Sequence, residues 1–268
     1  MKISEALGAA LWTTAEALAD VAARHSLPLF RHPDLAAANK AASGFDPVTA
    51  ADRDAEAAMR DYLAAHRPED AILGEEFGPK AGSSGLTWVL DPIDGTRAFM
   101  SGATTWGTLI AVDAGAGPVL GLIDQPYIGE RFMGGLGRAR MTRGGLDRPL
   151  GTRACAGLDG AVLYSTFPEI GTPAERLGFE SVRDRVRLTR YGTDCYGYAL
   201  IALGQADLVI EAGLLAYDIQ GPQGVVEAAG GIMTDWRGRP PHRGGRVLAA
   251  GDARAHAAAL ELLSQVPG

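Results

Sequence analysis

Cysteine is scarce in this sequence, and its scarcity excludes two kinds of protein. Cys155 and Cys195 are the two cysteines among 268 residues, and they do not form a CxxC motif. A disulfide framework or a structural zinc site would need several cysteines at short, regular spacings. We therefore predict a protein of a reducing compartment, long enough to bury a large hydrophobic core.

Basic residues and long apolar runs are also lacking. The 25 lysines and arginines are outnumbered by 32 aspartates and glutamates, so that the net charge is -7. Nonspecific nucleic-acid binding and attachment to anionic membranes need a basic surface, and a spanning helix needs about 20 apolar residues. The sequence therefore predicts neither nucleic acid nor membrane as a partner. Because the N-terminus lacks the apolar core of a signal peptide, we expect a cytoplasmic protein.

Histidine-based catalysis is not indicated either. The five histidines lie outside any recognisable motif, and no Ser-His-Asp or Cys-His arrangement is apparent. The sequence offers instead a series of carboxylates at predicted bends, and these are the candidates for its chemistry.

The stretch formed by residues 88–96 is the most informative in the chain. Its apolar beginning predicts the end of a buried strand, and the proline between Asp91 and Asp94 turns the chain out of the sheet. Both carboxylates, with the Ile93 carbonyl between them, can then face one point, and oxygen ligands of this kind suit Mg²⁺. Taken alone, the same residues are also typical of an Asp-Pro turn in which Asp94 caps a helix.

Two predicted helix starts contribute further candidate residues. Gly95 and Thr96 follow the turn directly, and the free N–H groups of a helix start there would favour a phosphate. A second bend, at Asp46, precedes a helix that Thr49 is placed to cap and whose dipole Asp52 favours. This structural interpretation explains Thr49 and Asp52 without chemistry, whereas a functional interpretation adds the Asp46 carboxylate to a metal site.

Two later segments carry carboxylates that can reach the same site. Glu75 and Glu76 follow a short apolar strand and point to opposite sides of the backbone, so that one of them can face the site. Asp218 precedes a helix predicted over residues 219–229, where it would serve as N-cap. In the functional interpretation it brings a carboxylate from the second half of the chain, and small-molecule pockets commonly lie at such junctions.

The pattern of predicted elements changes near the middle of the chain. Residues 106–132 predict neighbouring antiparallel strands, whereas strands alternate with helices after residue 160. The Gly- and Arg-rich segment 134–151 lies between these regions and is the loosest part of the sequence. We therefore predict two halves: residues 1–140, α+β, carrying most candidate ligands, and residues 141–268, α/β, supplying Asp218 and substrate-facing residues.

Four motifs, taken in order, resemble the inositol monophosphatase family of Mg²⁺-dependent, lithium-sensitive phosphatases. They are residues 46–52, residues 74–76, residues 88–96, and residues 217–218 followed by residues 227–231. Ordered matches across nearly the whole chain are far more specific than any single motif. The resemblance implies a layered αβαβα fold like that of sugar phosphatases, with a large antiparallel sheet in the N-terminal half. It also implies a homodimer that acts on a small phosphorylated substrate.

The same resemblance implies a ligand set for two to three Mg²⁺ ions. Glu75, Asp91 and the Ile93 carbonyl would bind the first ion. Asp91, Asp94 and Asp218 would bind the second, and a third, weaker ion would depend on Glu75.

The resemblance also implies catalytic and phosphate-binding roles. Thr96, supported by Asp46, would orient and help to deprotonate the attacking water, and Glu75 would act with them. No covalent intermediate would form, and activity would depend strictly on Mg²⁺. The phosphate would be held by the N–H groups of Gly95 and Thr96, with Gly192 and Thr193 across the cleft.

Within the family, the chain is most similar to the histidinol-phosphate phosphatases of histidine biosynthesis. Six segments carry this similarity: residues 106–111, 121–126, 129–132, 190–196, 207–214 and 234–238. Asp194 and Glu211 match positions that face the non-phosphate part of the substrate, and Asp194 stands where inositol phosphatases have a small residue. An acidic pair suits the amine and imidazole of histidinol better than it suits a neutral polyol. The resemblance therefore implies hydrolysis of L-histidinol phosphate.

Two departures from the family pattern and two other functions remain open. Gly221 and Pro222 weaken the predicted start of the helix after Asp218, which we expect to alter the shape of the cleft more than metal binding. Arg97 either contacts phosphate or is a surface residue. The substrate could instead be inositol monophosphate or another sugar or nucleotide phosphate. The chain could also be a catalytically silent regulatory protein that binds Mg²⁺ or a metabolite.

Overall fold

The structure is a computed structural model, which describes residues 3–33, 35, 37–39 and 47–267. The helices are α1 (Glu5–Ser26), α2 (Ala50–His66), α3 (Thr96–Ser101), α4 (Pro173–Arg183), α5 (Tyr196–Ala202), α6 (Ala216–Ala228) and α7 (Ala253–Leu263). The strands of the first half are β1 (Ala37–Asn39), β2 (Pro47–Thr49), β3 (Ala71–Gly74), β4 (Gly78–Lys80), β5 (Thr87–Asp94), β6 (Gly107–Asp113), β7 (Pro118–Gln125), β8 (Glu130–Gly135), β9 (Arg138–Arg143) and β10 (Leu146–Pro149). The strands of the second half are β11 (Val162–Ser165), β12 (Leu188–Tyr191), β13 (Leu208–Leu214), β14 (Ile232–Thr234) and β15 (Gly245–Ala250).

Eight strands form the first sheet, in the order β10-β9-β8-β7-β6-β5-β3-β4. Strands β3 and β5 are parallel, and the other neighbours in this sheet are antiparallel, as predicted for the first half. The sheet extends to Pro149 because Gly144 and Gly145 adopt positive φ angles of 52° and 86° and turn β9 into β10. The segment predicted to be the loosest is therefore largely paired strand, and the predicted boundary at residue 140 falls inside β9.

The second sheet has five strands in the order β12-β11-β13-β15-β14. Strand β11 runs parallel to both β12 and β13, and β15 is antiparallel to β13 and β14. Helices α4, α5, α6 and α7 alternate with these strands along the chain. This is the α/β half that the sequence predicts.

Five layers of secondary structure pack through three large hydrophobic cores, and a fourth, smaller cluster of the described residues includes Phe30, Phe99 and Trp106. Helices α1 and α2 cover one face of the first sheet, α5 and α6 lie between the two sheets, and α4 and α7 cover the outer face of the second sheet. Buried residues of the three cores include Leu11, Met59 and Leu90; Ile123, Ile219 and Val247; and Phe179, Leu208 and Leu263. The αβαβα arrangement is therefore confirmed. No helix in the described part of the chain is both long and apolar enough to cross a membrane.

Helix α6 packs on the first sheet through glycine backbone. A Cβ added to Gly121 of β7 would lie 2.2 Å from the Gly221 carbonyl oxygen, and one added to Gly224 would lie 2.5 Å from the Gly121 nitrogen. Pro222 is buried inside this helix, and it has no N–H group to donate to the Asp218 carbonyl one turn earlier. The residues that depart from the family pattern thus bring the helix backbone directly against the sheet.

Candidate active site

Three carboxylates converge where β5 ends and α6 begins. One oxygen of each of Asp91, Asp94 and Asp218 lies within 4.8 Å of the others. Side chains three residues apart on a regular strand point to opposite faces, so this convergence needs a local irregularity. Strand β5 provides it: Asp91 pairs with Leu109 and Asp94 with Gly107, so that β5 has one residue more than β6 between the two pairs. This bulge turns both carboxylates toward the same point.

Hydrogen bonds hold the bulge in place. The Thr108 hydroxyl donates to the Pro92 carbonyl oxygen at 2.8 Å, and the Ile93 N–H donates to Asp91 Oδ1 at 3.1 Å. The Cys195 N–H donates to Asp94 Oδ2 at 2.7 Å, which ties the second half of the chain to the cluster. Backbone groups from both halves of the chain therefore position these carboxylates.

Helix α6 starts earlier than the sequence predicts, and this changes how Asp218 is held. Leu215, not Asp218, is the N-cap, and Asp218 is the third residue of the helix. Asp218 Oδ2 accepts a hydrogen bond from the Leu215 N–H at 2.7 Å. An acidic residue at the third helical position can accept a hydrogen bond from a free N–H group of the helix start, as an N-cap residue can. Asp218 therefore stabilises the helix start as predicted, but from inside the helix.

The carboxylates of the cluster repel one another, and a bound cation would relieve this repulsion. Burial, with the charges of Glu75, Asp94 and Asp218, raises the pKa of Asp91 well above its ordinary value. Burial and the charges of Asp194 and Asp218 likewise raise the pKa of Asp94. The donor atoms are carboxylate oxygens, which are the ligands that Mg²⁺ prefers. The residues present therefore fit a hard divalent cation.

Asp52 lies beside the Thr96 hydroxyl, for which the sequence predicts Asp46 as the supporting carboxylate. The Thr96 hydroxyl oxygen lies 3.4 Å from Asp52 Oδ1 and 3.2 Å from the Ile93 carbonyl oxygen. Asp52 is fully buried at the start of α2, and its other oxygen accepts from the N–H and hydroxyl of Thr49 at 2.8 and 2.5 Å, as predicted for the capping interaction. Asp46 lies outside the described residues. The sequence assigned Asp52 a capping role alone, because no local pattern shows where its second oxygen points.

A cavity of about 440 Å³ opens beside the cluster. Its wall includes two of the cluster carboxylates, the start of α3 and the two predicted substrate-facing carboxylates: Asp94, Asp218, Gly95, Thr96, Asp194 and Glu211. Metal ligands, candidate phosphate donors and acidic substrate residues therefore meet in one cavity.

The two predicted phosphate donors across the cleft are placed differently from Gly95 and Thr96. The Gly192 N–H donates to the carbonyl oxygens of Ser165 and Thr166 at 3.2 and 3.1 Å, so it is already engaged within its own half. The part that Gly192 takes in phosphate binding stays a prediction. The Thr193 carbonyl accepts from the Tyr196 N–H at 3.0 Å, and the phosphate contact of its own N–H stays a prediction.

Asp194 and Gly95 come together across the cavity. Asp194 adopts a left-handed backbone with a φ of 46°, which is uncommon for a residue other than glycine, and its Oδ2 accepts from the Thr105 hydroxyl at 3.1 Å. Gly95 has a φ of 80°, and a Cβ there would lie 2.8 Å from Asp194 Cγ. The close approach therefore requires glycine at position 95. Burial raises the pKa of Asp194.

Glu211 is a buried carboxylate at the inner wall of the cavity. It lies on β13 and is 6% exposed, and its Oε1 accepts from the N–H and hydroxyl of Thr166 at 2.7 and 2.9 Å. Burial outweighs these hydrogen bonds and raises its pKa to about 7. Glu211 therefore changes charge near neutral pH.

Replacing Glu211 with glutamine is expected to flatten the pH dependence of stability between about pH 4.5 and pH 7. Its pKa rises from 4.5 to about 7 on folding, so the folded state keeps a proton that the unfolded state releases. The free energy of unfolding of the wild type therefore falls as pH rises through this interval, by roughly 3 kcal/mol from this group. Urea unfolding in EDTA at several pH values would measure the slope.

A suitable control for this measurement is Glu261→Gln, which changes an exposed glutamate of α7. The control should keep the wild-type slope. A Glu211→Gln profile parallel to the wild type would contradict the raised pKa.

Comparison with known proteins places this site in a family. Residues 9–267 match the model of the inositol monophosphatase family. The chain is 43% identical over 228 residues to the chloroplastic bifunctional phosphatase IMPL2 of Arabidopsis thaliana, an alignment that covers 81% of this chain and 65% of that protein. The chain thus spans slightly less than two thirds of that relative. It is 34% identical over 259 residues to the histidinol-phosphatase of Streptomyces coelicolor, covering 94% of this chain and 96% of the relative.

The solved structures agree with this assignment. An inositol monophosphatase from Zymomonas mobilis superposes with a TM-score of 0.82 at 42% identity, covering 94% of this chain and 96% of the other. The resemblance predicted from the four motifs is therefore confirmed. The chain belongs to the inositol monophosphatase family, which consists of metal-dependent phosphatases.

Proposed function

We propose that this chain hydrolyses L-histidinol phosphate to L-histidinol and phosphate, in a reaction that depends on Mg²⁺ and forms no covalent intermediate. One observation carries the choice of substrate: Asp194 and Glu211 line the same cavity as the cluster carboxylates Asp94 and Asp218. A substrate that carries both a phosphate and basic nitrogen groups matches the two kinds of residue in this cavity wall, the helix start at Gly95 and Thr96 and the carboxylates Asp194 and Glu211. Similarity to the histidinol-phosphatase of Streptomyces coelicolor supports the same choice.

The carboxylate cluster is the proposed holder of the metal ions. Glu75, Asp91, Asp94 and Asp218, with the Ile93 carbonyl, would hold two to three Mg²⁺ ions. Bound Mg²⁺ would neutralise phosphate charge, lower the pKa of a bound water and stabilise the departing alkoxide.

Thr96 and Asp52 are the proposed handlers of the attacking water. Asp52 Oδ1 and the Ile93 carbonyl oxygen both lie within reach of the Thr96 hydroxyl proton. When the hydroxyl donates its hydrogen bond to either oxygen, the Thr96 hydroxyl oxygen is left to accept a hydrogen bond from water and to orient it. The first N–H groups of a helix have no intrahelical partner, so those of Gly95 and Thr96 would bind phosphate oxygens.

Asp194→Ala is expected to lower kcat/KM for L-histidinol phosphate by about 10- to 100-fold, because a charge-assisted hydrogen bond contributes about 1.5–3 kcal/mol. The same change should lower kcat/KM for inositol 1-phosphate by a smaller factor, since a neutral polyol can donate a hydrogen bond to the carboxylate but brings no positive charge to it. Phosphate release with both esters, in Mg²⁺, gives the ratio. The exposed Asp61 of α2 supplies a matched control, Asp61→Ala.

A second candidate substrate is inositol monophosphate, because the Zymomonas mobilis relative at 42% identity is an inositol monophosphatase. A panel of phosphate monoesters that includes both substrates decides between them. Higher kcat/KM for inositol 1-phosphate, together with equal losses on both esters in Asp194→Ala, would replace the histidinol phosphate proposal. Tight Mg²⁺ binding without turnover of any ester would instead support a regulatory protein.

Several properties implied by the family resemblance stay predictions. We propose a homodimer, inhibition by lithium, a cytoplasmic location and two halves that meet at the cavity. The oligomer is measurable by light scattering, and lithium inhibition by phosphate release.

A further inference from the structure

The cavity wall carries an exposed aromatic ring close to the acidic residues. Phe167 follows β11 and lines the cavity with 41% of its surface exposed. Phenylalanine rings mostly serve as buried packing, so a ring left open in a polar cavity is available to a ligand.

A planar cation already lies on this ring. The guanidinium carbon of Arg97 is 5.0 Å from the centre of the Phe167 ring, within the range of a cation–π interaction. Arg97 is an exposed residue of the cavity wall, and its positive charge also acts on the Asp194 carboxylate. The pocket formed by Phe167 and Asp194 therefore attracts a flat, positively charged group with N–H donors.

Hydrogen bonds position Phe167 relative to Glu211. Thr166, the preceding residue, donates both its N–H and its hydroxyl to Glu211 Oε1. The Ser165 hydroxyl donates to the Phe167 carbonyl at 3.3 Å, and the Gly192 N–H donates to the carbonyls of Ser165 and Thr166. The backbone that carries Phe167 is consequently joined to the buried Glu211 carboxylate of β13 by hydrogen bonds of the preceding residue.

We propose that Phe167 is the surface on which the planar nitrogen ring of the substrate stacks, with Glu211 accepting a ring N–H. Arg97 leaves the phenyl ring as the substrate ring arrives and pairs with the substrate phosphate. The ligand class is a phosphate monoester bearing a planar, cationic nitrogen heterocycle. This inference rests on the proposed hydrolysis of L-histidinol phosphate and adds the residues that select its ring.

The test compares two substrates that differ in the ring. Phosphoethanolamine has a phosphate and an amine but no ring, whereas L-histidinol phosphate has all three. Phe167→Leu should raise KM for L-histidinol phosphate about five- to tenfold, a cation–π loss of the size seen in partly exposed sites, with kcat within about twofold. Its KM for phosphoethanolamine should change by less than about twofold, and Phe167→Tyr should keep both wild-type values.

Arg97→Gln should raise KM for both substrates, because the phosphate is common to them. The matched control is Tyr127→Leu, which removes another exposed ring, 46% exposed and 4.8 Å from the Arg31 guanidinium carbon. This control should leave both KM values unchanged.

Binding of the product L-histidinol, measured by calorimetry, separates failure of this inference from failure of the proposed function. Suppose that the wild type binds L-histidinol and Phe167→Leu binds it more weakly, but the wild type does not hydrolyse the phosphate ester. Stacking of the substrate ring on Phe167, the ring site, then stands and the proposed function falls. If the wild type hydrolyses the ester and Phe167→Leu changes neither KM, or changes both equally, the ring site falls and the proposed function stands. Absence of both binding and turnover overturns both.

Discussion

Asp91→Asn is expected to abolish turnover and to leave the metal-free protein at least as stable as the wild type. Asp91 is the buried carboxylate of the cluster, with its pKa raised by burial and by the charges of Glu75, Asp94 and Asp218. A bound metal ion contributes several kcal/mol to transition-state stabilisation, so its loss should lower kcat/KM by about 10³-fold or more.

The stability half of this prediction follows from the sign of the pKa shift. A carboxyl whose pKa is raised on folding destabilises the folded state at any pH above its unfolded pKa, compared with a group that cannot ionise. Asparagine cannot ionise, but it keeps the oxygen that accepts the Ile93 N–H. The melting temperature in EDTA should therefore stay level or rise.

Thermal melting with and without Mg²⁺ completes the experiment. Mg²⁺ should raise the melting temperature of the wild type in a concentration-dependent way, since a ligand that binds the folded state stabilises it. It should have little effect on Asp91→Asn, and Asp61→Asn should behave as the wild type. Turnover at the wild-type rate in Asp91→Asn would refute the assignment of Asp91 as a metal ligand. A large drop of its melting temperature in EDTA would refute the repulsion among the cluster carboxylates.

Gly121→Ala is expected to destabilise the protein and to impair the site at once. The added Cβ would lie 2.2 Å from the Gly221 carbonyl oxygen of α6, a distance at which one backbone must move. Overpacking of this kind costs about 3 kcal/mol of unfolding free energy. Because α6 carries Asp218, the movement also separates that carboxylate from Asp91 and Asp94, and a shift of about 1 Å can cost about 10²-fold in activity.

Urea unfolding and kcat/KM measured at a temperature where the variant is folded would check both parts. Gly151→Ala is the control, because no heavy atom of the described residues lies within 4 Å of a Cβ there, apart from its chain neighbours. Wild-type stability in Gly121→Ala would mean that α6 can shift without loss. Lower stability with full activity would mean that Asp218 does not depend on this contact.

Elements with a strong apolar pattern were predictable from the sequence. Strands β6 and β7 agree with the predicted antiparallel strands, because each carries a continuous apolar run that is buried on both faces of the sheet. Strands β9 and β10 were missed because they are rich in exposed arginine, and Met141 is the one residue among them that is buried. Strand β9 pairs with β8 and β10 pairs with β9, so the edge of the sheet rather than their own apolar pattern makes them strands.

Helix α4 was missed although a local signal was present. Thr172 and Glu175 form a capping box around Pro173 at the first helical position. That combination is typical of a helix start. Its buried residues Gly178, Phe179 and Val182 also lie at helical spacing, so the start signal and the periodicity both indicated a helix.

The sequence by itself determined the chemistry of the site. Carboxylates at bends, in the order of four motifs, identify a metal-dependent phosphatase family, because residue type and local turn chemistry are written in the chain. This reasoning found five residues that the structure places in the carboxylate cluster or in the wall of the cavity beside it: Asp91, Asp94, Gly95, Thr96 and Asp218.

The tertiary structure alone decided how these residues meet. The bulge in β5 depends on its register with β6, and the position of Asp218 depends on glycine contacts between α6 and β7. Asp52 reaches Thr96, and Phe167 stands beside Glu211, only because segments far apart in the chain pack together. Such distances are set by the packing of whole layers, so no local pattern contains them.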